Sequence, residues 1–250
     1  MNFKVTLYYL KMRFQAKETK VIAVLLLLYS ALAYFNPNIL ALTAWGENPK
    51  FYLANYAGFF FWFAALFLVL PLYSVYLQPN FKYFQNANVI YRFKSINRYW
   101  FIRIGIAFIE SSIFIFFLYL LMLMRAAYFH QFFQYIQNGI FFIKSFCLQI
   151  LAFTLFSVVY TFWSDIFNKP ILGFVSAYLL FAYDYIASNL DFPQIYILCA
   201  ISLRPEDLAI YWPLFIVIVT LIILFFVLGM ALLKQKDYYW KADLKWSHED

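Results

Sequence analysis

What most constrains this chain is a series of apolar runs, each near the length that crosses a lipid bilayer, separated by short charged stretches. A hydrocarbon core of about 30 Å takes about 20 helical residues. Six segments meet or approach that length: residues 21–40, 51–77, 101–124, 139–163, 171–187 and 211–233. The first and fifth are the shortest over their apolar parts, so four full spans with two re-entrant pieces is the competing count. Composition agrees: 66% of the residues are hydrophobic and 12% are charged. Soluble domains run at about 45–50% apolar and about 25% charged. A soluble interior of this size cannot hide so much apolar surface. The reading is an all-α polytopic membrane protein with six transmembrane helices. It comprises an interfacial amphipathic helix over residues 1–20, a membrane domain over 21–233 and a tail over 234–250.

The net charge of +7 would suit nucleic acid if the cations shared one solvated face. They fall between the apolar runs instead, where they act as topology signals and contacts for anionic lipid headgroups, so no nucleic acid partner is expected. With the N-terminus inside, the leading tail, the 78–100 loop, Arg103, the 164–170 turn and the C-terminal tail hold fifteen of the 19 Lys and Arg residues. Lys50, Arg125 and Arg204 fall on the other side, with Lys144 just inside the membrane. Both termini are therefore expected in the cytoplasm. The abundance of Phe, Ile, Tyr, Asn and Lys suggests an AT-rich bacterial genome and hence a bacterial cytoplasmic membrane. A cleavable signal peptide is not expected, because the first apolar run starts near Val21 and no small-residue cleavage site follows it. Cys147 and Cys199 lie far apart in apolar surroundings, which argues against a disulfide framework.

Phe3, Leu7, Leu10 and Phe14 recur at helical spacing, with Lys4, Lys11, Arg13 and Lys17 on other faces. That pattern predicts a basic amphipathic helix lying in the membrane surface. Between the fifth and sixth spans, Ile195–Leu203 is apolar but too short to span. Pro205, Glu206 and Asp207 then look like a helix start with acids where the dipole favours them. A short re-entrant hairpin on the outer side is the expectation. Trp45, Trp62, Trp100, Trp163 and Trp212 are read as belonging to headgroup belts at or near span ends.

Chemical motifs are scarce. No G-x-x-x-x-G-K-[ST] loop, metal-spaced cluster, H-E-x-x-H or G-x-S-x-G occurs, so nothing points to an enzyme, and no cofactor is expected in this chain. Two intramembrane carboxylates remain, Glu110 and Asp184, and such groups are functional suspects because burying charge in lipid is costly. Glu110 either pairs with a basic residue such as Arg103, or one from a neighbouring span, or lines a substrate path. Asp184 is expected to snorkel to the outer interface. The run Phe59–Phe63 offers, through Phe60 and Phe63, a greasy wall for a hydrophobic substrate. Packing or lipid contact explains it as well.

Tyr91–Glu110 concentrates cations and aromatics on the cytoplasmic side, between spans two and three. Arg92, Lys94, Ser95 and Arg98 surround a stripe with Phe93 and Trp100, which predicts a short helix whose apolar knobs dock while its cations fix register. The layout of six spans with this R-x-K-S-x-x-R-Y-W segment and an outer hairpin resembles the type-2 family of ABC-transporter permeases. Within it the nearest likeness is to small Gram-positive exporters of peptides and bacteriocins. The resemblance implies that Arg92, Phe93, Lys94, Ser95, Arg98, Tyr99 and Trp100 form a coupling helix. It also implies a separate P-loop ATPase subunit that binds ATP-Mg, a second permease (identical or paralogous), and outward movement of a hydrophobic or amphipathic substrate. The competing readings are a membrane-embedded enzyme acting on a lipid or isoprenoid, and a non-transporting immunity or sensor protein.

Overall fold

A computed structural model describes residues 3–35, 51–84, 96–190 and 192–246. Among these residues the protein is all helical, and five helices are long and apolar enough to cross a membrane: Tyr52–Phe84, Asn97–Tyr128, Gly139–Phe167, Pro170–Ala187 and Pro205–Leu232. They coincide with the second to sixth predicted spans. The first predicted span is helical from Lys17 to Phe35, and the rest of it lies outside the described residues. The coarse reading of a multi-pass, all-α membrane protein stands on these helices.

The N-terminal helix α1 (Phe3–Gln15) and α2 (Lys17–Phe35) meet at Ala16. The turn there is held by hydrogen bonds from Ala16 N to the Arg13 carbonyl and from Lys20 N to the Ala16 carbonyl. Of the expected amphipathic stripe, the side chains of Phe3, Leu7 and Leu10 lie outside those described. Phe14 is exposed, and the face that α1 turns inward carries Tyr9 and Arg13. In lipid an apolar side chain gains little from the protein interior, whereas a polar one must find partners there.

Span two is not one helix. It runs as α3 (Phe51–Phe60), the single turn α4 (Trp62–Ala64), a π-helical turn over Ala65–Val69 and α5 (Leu70–Phe84). Phe61 stands between α3 and α4 with an extended backbone, φ −62° and ψ 143°. Trp62 therefore lies at a mid-span break rather than in a headgroup belt.

Span three, α6 (Ile96–Tyr128), is continuous over 33 residues, about 50 Å at 1.5 Å per residue. A turn follows, with His130 at φ 55°, then the short α7 (Phe132–Gln137) and span four, α8 (Gly139–Phe167). Asn168 ends α8 in the left-handed conformation, at φ 53°. Pro170 starts α9 (Pro170–Asn189) at the first helical position. This left-handed stop and proline start make a tight reversal that lays α9 antiparallel on α8. The short α10 (Ile197–Ile201) and a 3₁₀ turn (Pro205–Ile210) lead into α11 (Tyr211–Trp246), which carries the helix through much of the predicted tail.

Alpha-helix α8 is the axis of the bundle and packs on α5, α6, α9, α10 and α11. Of its apolar stretch 72% is buried, against 17% for that of α11, most of whose surface therefore faces out of the bundle. Close approach depends on small residues, as membrane helices require. A methyl group on Gly173 would lie 2.0 Å from the Ser164 hydroxyl and 2.3 Å from the Tyr160 carbonyl. One on Gly229 would lie 2.3 Å from the Trp100 ring. Much of the aromatic excess interlocks inside. Tyr73 meets Phe114 and Phe153 at centroid separations of 4.8 and 4.9 Å, within the range of favourable tilted and edge-to-face pairs.

Candidate functional site: a buried charge cluster beneath the N-terminal helix

The ends of the helices sort into two groups. Arg13 of α1, Phe84 at the end of α5, Arg103 near the start of α6, and Asp165 near the end of α8 gather at one end of the bundle. Tyr135 of α7 and Ile201 of α10 belong to the other. The cluster at the α1 end is the strongest concentration of buried polarity among the described residues.

Glu110 is its centre, and it has no solvent exposure. The hydroxyl of Tyr9 donates to Oε1, Nε of Arg13 pairs with the same oxygen at 3.3 Å, and Nδ2 of Asn80 donates to Oε2 at 2.7 Å. The Arg13 guanidinium also lies 3.8 Å from the centre of the Tyr76 ring, a cation–π contact strengthened by the burial of both groups. Burial, with the charge of Glu110 beside it, pushes the Tyr9 phenol well above its usual range, so it acts as a donor. Burial works against the charge of Arg13, but Glu110 and the neighbouring tyrosines more than offset it and hold the guanidinium above its ordinary value. These contacts tie α1, α5 and α6 together.

A second pair adjoins the first. Arg103 Nη2 donates to Asp165 Oδ1 at 2.9 Å, and the Tyr99 hydroxyl donates to Oδ2 of the same carboxylate at 3.4 Å. The Arg103 guanidinium sits 4.5 Å from the Phe84 ring centre, and Phe84 packs on Tyr9 at 5.8 Å. Two guanidinium groups and two carboxylates thus balance in charge, which offsets part of the cost of taking them out of water. Each Glu110 oxygen already accepts from donors around it, so the carboxylate is held in a clamp rather than offered to a reacting group.

The expected partner of Glu110, Arg103, is therefore corrected. Asp165 takes Arg103 across to α8, and Arg13, from outside the spans, takes its place. Arg92, Phe93, Lys94 and Ser95 lie outside the described residues. Arg98 is exposed, whereas Tyr99 and Trp100 are not docking knobs. They belong to the first turns of the unbroken α6 and face inward. Trp100 is fully buried against Phe162 and Gly229, and its Nε1 donates to the Phe226 carbonyl at 3.0 Å. An indole at this depth needs a partner for its N–H, and α11 supplies one. Phe60 and Phe63 do not line one wall. Phe60 is buried between Tyr56 and Tyr119, while Phe63 is half exposed beside Phe67 on the outer surface. Tyr119 lies along α6 from Glu110 by about 14 Å, at 1.5 Å per residue, so neither phenylalanine joins the Glu110 cluster.

Asp184 does not snorkel. It is buried, and its carboxylate accepts from the backbone N–H groups of Ile195 at 2.7 Å, Tyr196 at 2.9 Å and Leu198 at 2.8 Å. It caps α10, with Tyr196 at φ 63° making the turn. The capped helix is buried against α8, α9 and α11, so its few polar backbone groups are met by protein.

Sequence reasoning missed Tyr9, Asn80 and Asp165, and also a polar network at the α10 end. There Asn55 Nδ2 donates to the Met122 carbonyl at 3.0 Å and to the Tyr135 hydroxyl at 2.5 Å. Gln149 Nε2 donates to the Tyr56 hydroxyl and to the Ile201 carbonyl, each at 2.8 Å. Part of the signal was present: Asn55 and Gln149 are amides inside apolar runs and, like Glu110, need partners there, whereas Asn80 falls beyond the predicted end of span two. No group of three or more His, Cys, Asp or Glu side chains among the described residues could hold a metal. No protein-family model, curated protein or solved structure matches the chain.

Proposed function

We propose that this chain is the membrane permease subunit of an ABC exporter in a bacterial cytoplasmic membrane, with both termini inside. A separate P-loop ATPase binds ATP-Mg, a second permease completes the pathway, and a hydrophobic or amphipathic solute, a peptide by family likeness, moves outward. The supporting observation is the Glu110 clamp. Residues 85–95, which include the predicted coupling residues Arg92, Phe93, Lys94 and Ser95, connect α5 to α6. Both helices are bolted to each other and to α1 through Asn80, Glu110 and Arg13. A push on that connection moves three helices as one body, and this is what a coupling element must achieve. The short buried α10 before the last span, fastened by Asp184, fits an outer closure in the same scheme.

The test is affinity purification of the native chain and of R92E/K94E/R98E from their host membrane, with detection of a bound P-loop ATPase and assay of ATP-driven transport. The native chain retains the ATPase, and the triple variant loses it or hydrolyses ATP without transport. An unchanged complex with unchanged ATP-driven transport would overturn the reading.

A further inference from the structure

We infer that span two contains a two-state hinge, in which the Gly58 carbonyl is exchanged between two competing donors, the Tyr29 hydroxyl and the Trp62 backbone N–H. In an unbroken helix the carbonyl of residue 58 accepts from the N–H of residue 62. Here the extended Phe61 turns that peptide away, and the Tyr29 hydroxyl of α2 donates to the Gly58 oxygen at 2.6 Å instead. The bonds on either side survive, Phe61 N to the Ala57 carbonyl at 2.9 Å and Ala65 N to the Phe61 carbonyl at 2.8 Å. The break is therefore confined to a very short stretch, and the π turn over Ala65–Val69 adds a second irregularity directly after it.

Nothing covalent forces this break. Gly58 precedes it and no proline lies within Phe59–Ala64, while the usual causes of sharp kinks are proline, glycine–serine pairs, π-bulges and inserted groups. Both the helical and the extended wells are sterically open to Phe61. In a lipid-filled environment an unpaired carbonyl is not tolerated, so each conformation must supply its own donor, and the chain carries one for each. The segments flanking the joint are both anchored. Asn55 fixes α3 to α6 and α7, and Trp62 stacks on Tyr185 of α9 at 4.6 Å and 18°. On the far side Asn80 fixes α5 to Glu110. Because Asn55 and Asn80 both hold span two to the unbroken α6, the soft joint lets the stretch between them tilt while its two ends stay tied to that helix. Use of that tilt in transport rests on the permease reading; the hinge itself does not.

The experiment uses the full chain in C147S/C199S form, with nitroxide labels at A54C and V75C on the two sides of the joint, in lipid nanodiscs. Pulsed dipolar spectroscopy reads the distance distribution. W62P holds the broken form, because proline is accepted at the first helical position and bars the preceding residue from the helical region. Y29F removes the competing donor and favours the straight form. The expected result is a distribution for Y29F shifted by several Å from that of W62P, with the parent protein populating both. One common distribution for all three proteins overturns the hinge. If W62P does not fold, the parent against Y29F decides alone, an identical distribution again overturning it. A separate arm with the ATPase subunit present measures transport. Loss of at least tenfold in W62P ties the hinge to the permease cycle, and full transport removes that tie while leaving the distance result to judge the hinge.

Discussion

Glu110 shows how a single buried carboxylate organises its surroundings. Removing one partner of a buried, hydrogen-bonded ion pair leaves the other charge uncompensated and costs about 3–5 kcal/mol, whereas replacing both by apolar groups is often neutral or better. E110A should therefore unfold at markedly lower temperature in detergent, by an equivalent of about 3–5 kcal/mol, and R13M/E110M should recover most of that loss. If the double variant were as unstable as the single one, the Arg13–Glu110 pair would not be the source of the effect. Such a contact was half visible beforehand. An acid in an apolar run announces that it needs a partner, but the partner lies 101 positions away on the chain for Tyr9, and no local pattern carries that information. Arg103, two turns back on the same helix, was the natural local choice, and the phase of α6 turns it towards Asp165 instead.

At the scale of the element, two features reward direct tests. The carboxylate of Asp184 takes three backbone N–H groups of the segment leading into α10, and hydrogen bonds to a charged acceptor are worth about 1.5–3 kcal/mol each. D184A should release the 192–203 segment to limited proteolysis while α8 and α9 stay protected. Equal protection of that segment in the variant and the parent would show that α10 is held by packing alone. The second feature is the contact between Gly229 and the Trp100 indole, where no Cβ fits. G229L should sharply reduce the yield of folded protein, and W100A in the same chain should restore part of it by vacating the space. The sequence made α6 and α11 legible as helices, because apolar length is a local property. It did not reveal that Trp100 plugs a gap in α11, since a tryptophan near a span end has the same composition whether it faces headgroups or a glycine.

At the scale of the whole molecule, the helix ends fall into two sets. The α1–α2 turn, the end of α5, the start of α6 and the α8–α9 turn share one end, and α7 and α10 share the other. Single cysteines introduced at Lys11 and Lys169 in the C147S/C199S background should react from one side of the membrane with an impermeant reagent, and cysteines at Tyr128 and Leu190 from the opposite side. Labelling of all four from the same side would dismantle the arrangement. The bias of Lys and Arg towards the first set makes that side the cytoplasmic one in the proposed topology.

The positions of the five spans seen among the described residues followed from the chain alone, because transfer of a helix into lipid depends on a sum over neighbouring residues that any window can evaluate. The tight turn at Asn168–Pro170 also follows local stereochemistry. The partners of the buried charges, the inward face of α1, the burial of Trp100 and the break at Phe61 were decided only by tertiary structure. Each depends on the angular phase of one helix against another and on which distant donor reaches an orphaned oxygen. Hydropathy has no angle and no memory of distant residues, so a sequence can say that a polar group must be satisfied without saying by which neighbour.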